Sequence, residues 1–116
     1  MTERKRADQA ILANFLILDE RFKQHVSDYQ TGKTRDEIFY RGLESIHEKL
    51  VRDFGAYIDP ADIERMEQAL VRLEGGMRDY LIRNPESYHQ IWWQIHEMLE
   101  NDAKESAPKV EKRDAG

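Results

Sequence analysis

Apolar residues recur along this chain at alternating intervals of three and four, the spacing of one face of an α-helix. Ile11, Phe15, Leu18, Phe22, Val26 and Tyr29 form the first such stripe, and Phe39, Leu43, Ile46, Leu50, Phe54 and Tyr57 the second. Ile63, Met66, Leu70, Leu73, Met77 and Tyr80 make a third; Tyr88, Trp92, Ile95 and Leu99 make a fourth. No segment keeps a period of two for long, so strands are not expected. The junctions carry helix-start chemistry. Thr34-Arg35-Asp36-Glu37 reads as a capping box. Asp59-Pro60 and Asn84-Pro85 each place an N-cap residue before a proline at the first helical position. The pattern predicts an all-α protein of four helices, at about 3–30, 35–55, 60–83 and 85–102. Short connections favour an antiparallel up-down four-helix bundle over residues 1–102. Beyond it, 103–116 lacks an apolar face and is expected to be a flexible, disordered charged tail. Gly75-Gly76 falls inside the third helix, where each glycine costs about 1 kcal/mol relative to alanine, so the pair either kinks or ends it.

Two helices carry more apolar surface than one stripe explains. From Ala10 to Leu18 only Asn14 is polar, and a helix hydrophobic on every side is normally covered on every side. Leu12, Leu16 and Ile17 point away from the first stripe. In the fourth helix, His89, Trp93, His96 and Glu100 form a second row one residue after the core positions. Trp92 and Trp93 stand about 100° apart on a helix, so they cannot both fill one core. Leu12, Leu16, Ile17, His89 and Trp93 are therefore the expected interface, for a homodimer or a protein partner.

Composition narrows the classes. The chain has 116 residues, 40% hydrophobic, with 18 basic and 23 acidic side chains and a formal net charge of -5. That is a single domain with a modest core, and the acidic balance speaks against non-specific binding of nucleic acid. The absence of Cys excludes disulfides, thiol nucleophiles and thiolate metal sites. Residues 10–18 follow a basic stretch as a signal-peptide core does, but Glu3 and Asp8 interrupt the basic region, and Asp19-Glu20-Arg21 follows the apolar run. The run is also too short to span a bilayer, so a cytoplasmic protein without membrane attachment is expected.

Chemistry enters through the histidines. Glu44-Ser45-Ile46-His47 and Glu86-Ser87-Tyr88-His89 have the Glu-x-x-His spacing and resemble the ferritin-like di-metal bundles, which implies a carboxylate and histidine metal site. His47 falls about twelve residues into its helix and His89 about four, an axial offset of roughly 12 Å; His96 matches the level of His47 better. Glu44, His47, His96 and Glu100 are accordingly the candidate ligands of the metal-binding alternative. Arg83-Asn84 followed by His89 resembles the Arg-Asn-(several residues)-His signature of the small helical HEPN ribonucleases, whose arginine and histidine act at a dimer interface. Pro85 separates the two halves of that match. No Gly-rich phosphate loop or serine elbow occurs, and no catalytic residue or cofactor is assigned. The residues favour a non-enzymatic, adaptor-like interaction protein, with the metal bundle and the HEPN-like ribonuclease as alternatives. Tyr40, Tyr57 and Trp93 leave room for a ligand cavity.

Overall fold

The computed structural model describes residues 4–75 and 87–106. Within them lie four helices and no strand: α1 (Gln9–Gln30), α2 (Asp36–Phe54), α3 (Pro60–Gly75) and α4 (Tyr88–Ser106), with a single 3₁₀ turn, Gly55–Tyr57, after α2. The Gly75-Gly76 question, the third helix beyond residue 75, the Asn84-Pro85 cap, Arg83 of the HEPN-like match and the tail from 107 onward lie outside the described residues.

Local chemistry places the helix ends. α1 begins at Gln9 rather than near residue 3, because Asp8 adopts extended backbone and its Oδ1 accepts the Ile11 N–H at 2.9 Å. The expected Thr34–Glu37 capping box does not form. The Lys33 and Thr34 N–H groups both donate to the Asp28 carbonyl, at 2.7 and 3.3 Å, which ties the chain back to α1 as far as Thr34. The cap therefore moves to Arg35, which makes no side-chain capping bond, and the Thr34 hydroxyl is buried without a partner. Gly32 makes that turn possible with φ +81°. Asp36 and Glu37 still place negative charge on the positive end of α2. Asp59 caps α3 as expected, its Oδ1 accepting the Ala61 N–H at 2.9 Å. Ser87 caps α4, its hydroxyl accepting the Gln90 N–H at 3.2 Å. α4 also runs four residues past the expected end at 102, because Asp102 and Ala103 are buried rather than solvated.

The expected stripes form the core. Phe15, Leu18, Phe22 and Val26 from α1 meet Phe39, Leu43, Ile46 and Leu50 from α2, all buried. Met66, Leu70 and Leu73 close the core from α3, and Tyr88, Ile91, Trp92, Ile95 and Leu99 from α4. Trp92 is its aromatic centre, stacked on Phe22 at 4.1 Å and on Phe15 at 5.5 Å between ring centroids. Each such aromatic or aliphatic side chain contributes about 1.5–3 kcal/mol by leaving water. On α2, Gly42 faces the His25 imidazole of α1, which any Cβ at that position would overlap. That ring is itself fixed by a 2.8 Å hydrogen bond with the Phe39 carbonyl and by stacking on Phe39.

The segment before α1 is not helical but is firmly held. The Arg4 guanidinium donates to both oxygens of buried Asp102, at 2.6 and 3.0 Å, and the Ala7 N–H adds a third bond to that carboxylate at 3.1 Å. Arg6 pairs with Glu105, and the Lys5 N–H donates to the Ala56 carbonyl at 2.7 Å. The first described residues thus join the end of α4 to the turn after α2.

Candidate functional site

Three places carry more than core packing. The first is the seam between α1 and α4. Asp19 is buried in it, its Oδ1 accepting the Trp92 indole N–H at 2.7 Å. Lys23, one turn further along α1, reaches its other oxygen at 3.2 Å. His96 lies alongside, with Nδ1 3.8 Å from Asp19 and Nε2 3.8 Å from Glu100, both beyond hydrogen-bonding distance, and neither ring nitrogen has a partner. The outer edge of this seam is apolar. Leu16 follows Leu12 by one turn and precedes Asp19 by three residues; Trp93 precedes His96 by three and meets its ring edge-on at 5.8 Å. Trp93 is 49% exposed and Leu16 38%, while Leu12 is half-buried against the core. His89 is exposed at the same edge but lays its ring on Phe22, 5.9 Å away. That partial burial lowers its pKa, against an opposing pull from Asp19.

The second place is around His47, buried between α2, α3 and α4. Its Nδ1 shares a 2.7 Å hydrogen bond with the Tyr88 hydroxyl, and its Nε2 faces Glu67 at 3.9 Å without a hydrogen-bond partner. Burial lowers the His47 pKa more than Glu67 raises it, so the neutral imidazole is favoured.

The third is an open groove of about 580 Å³ between α1 and α2. Ile17, 72% exposed, lines it, so this residue stands apart from Leu16 and Trp93. Ile38 and Val71 are also exposed, singly, on α2 and α3.

The structure thus sorts the sequence candidates by location. His89 packs against α1 through Phe22, Trp93 is half-exposed one turn further along α4, and Leu12 and Leu16 lie on the α1 face that carries Asp19. Of the metal candidates the structure joins only His96 and Glu100; Glu44 is exposed, and His47 has Tyr88 and Glu67 as neighbours. Among the described residues no three His, Asp or Glu side chains are grouped to hold a metal ion. No helix among them is long and apolar enough to cross a membrane. Sequence reasoning missed Asp19, Glu67 and Tyr88 as polar partners. The available signal was that Asp19 falls one turn after Phe15, on the buried side of α1. Comparison with protein-family models, with curated proteins and with solved structures finds no match to this chain.

Proposed function

We propose that this chain is a non-enzymatic, adaptor-like bundle that acts through protein–protein contact, self-associating along the α1–α4 seam. The supporting observations are a half-exposed Trp93 on α4, whose neighbour Trp92 is held by a hydrogen bond to buried Asp19, and Leu12 and Leu16 on the α1 face that carries Asp19. An exposed tryptophan on a fixed backing has the character of a binding hot spot, since little side-chain freedom is lost when it is covered. Two series of contacts support an up-down arrangement: Phe15 meets Phe54 while Tyr29 meets Phe39, and Phe15 meets His96 while Phe22 meets His89. Both series run in opposite directions along their paired helices. A cytoplasmic setting suits a chain with no cysteine to oxidise.

Light scattering across concentration, with tryptophan emission of the chain and of a Trp92→Phe variant followed in parallel, tests the reading. A dimer whose dissociation red-shifts the emission, and which Leu16→Asp or Trp93→Ala converts to monomer without loss of helicity, supports it. A monomer at high micromolar concentration, with both variants silent in partner capture, removes it.

A further inference from the structure

We propose that the groove between α1 and α2 binds a single-chain fatty carboxylate. Its volume, about 580 Å³, lies within the ~300–1,000 Å³ of small-ligand sites. Ile11, Ile17, Leu18 and Phe54 supply an apolar lining, and Arg21, Lys49, Arg52 and Asp53 the charged one. Three cations against one acid is the reverse of the whole chain, whose net charge is -5. Asp53 is already engaged, held by Lys49 at 2.8 Å and Arg52 at 3.4 Å. Arg21 has no ion pair among the described residues, so a planar donor fork stands unused beside apolar surface. That combination matches a carboxylate head, which a guanidinium binds through two parallel hydrogen bonds. The groove is also long: Ile11 and Arg21 are ten residues apart on α1, about 15 Å along the helix. Phe54 packs on Phe15 near the Ile11 end, so the head sits by Arg21 and Lys49 and the alkyl chain runs toward Ile11 and Phe54. Ile17 is the one strongly exposed aliphatic side chain in the lining, and an alkyl chain laid along the groove covers it. One such residue suits a single chain better than the row of anchors that an amphipathic helix would need.

The probe is dodecanoate, kept below its micelle concentration and titrated into the full chain, with backbone amide shifts and calorimetry as readouts. Dodecyltrimethylammonium, with the same alkyl chain and the opposite head charge, is titrated alongside. Saturable dodecanoate binding with shifts centred on Ile17 and Arg21 is expected, and no saturation by the cationic amphiphile. Arg21→Glu is expected to weaken dodecanoate about tenfold or more, the loss of one charge-assisted contact. Ile17→Asp is expected to weaken it as well. Both positions are solvent-exposed on α1, and circular dichroism verifies that the variants keep their helix content. Absence of saturation, equal affinity for the cationic amphiphile, or unchanged affinity in Arg21→Glu overturns the proposal. Leu16→Asp, on the other edge of α1, is expected to leave dodecanoate binding intact.

Discussion

At the residue scale, His25 and Gly42 show how a small side chain on one helix sets the position of a large one on the next. Alanine at 42 would gain about 1 kcal/mol of helix propensity but must displace an imidazole held by the Phe39 carbonyl. Overpacking wins, and Gly42→Ala is expected to destabilise the fold by about 1–3 kcal/mol in denaturant titration. His25→Ala in the same chain recovers part of that loss, a coupling that independent sites would not show. Asp19 offers a second case. Asp19→Ala leaves the Trp92 indole N–H buried without an acceptor and costs about 1–3 kcal/mol, whereas Asp19→Asn keeps an acceptor and costs less. A smaller loss in the alanine variant than in the asparagine variant would contradict the hydrogen bond. These pairings were not legible in the sequence for a physical reason. Periodicity says that Asp19 lies near a buried face; which indole it meets depends on the rotation and axial register of α1 against α4. Trp92 inward and Trp93 outward were legible, because their roles follow from one helix alone.

At the scale of the element, the α2 start separates a pattern from the structure it resembles. A working capping box would lose about 1 kcal/mol when its threonine is replaced. Here the Thr34 hydroxyl is buried and unpartnered, so Thr34→Val is expected to be neutral or stabilising in thermal unfolding. A loss of 1 kcal/mol would instead restore Thr34 as the cap. The segment before α1 makes the opposite point, since its sequence reads as a diluted basic cluster and its structure is a tie. Arg4→Ala leaves the buried Asp102 carboxylate with the Ala7 N–H and the more distant Arg6, 4.0 Å away, and is expected to cost about 2 kcal/mol. Helix positions came through in the sequence because burial repeats with the helix period. The Arg4–Asp102 pair did not, because no local rule joins residues at opposite ends of a chain.

On the scale of the whole molecule, stability depends on acid through two sets of groups acting in the same direction. Burial lowers the pKa values of His47 and His89 below 6.5, so the unfolded chain takes up their protons more readily. Their contribution is complete above about pH 6.5 and declines as pH falls toward the lowered values. The Arg4 hydrogen bonds hold Asp102 below its ordinary 3.8, so that contribution is present above this value and is lost as pH falls through the lowered one. Unfolding free energies measured from pH 8 downward should fall in two stages, and His47→Phe should flatten the first; a flat profile between pH 7 and 5 would contradict the burial of His47. The Arg4–Asp102 tie also has a consequence in time. The two residues are 98 positions apart, so at ~5–20 residues per second the ribosome needs about 5–20 s after making the arginine to supply its carboxylate. During synthesis α1, α2 and α3 must wait with an open end, and α4 both completes the core and latches the segment from Arg4 to Ala7.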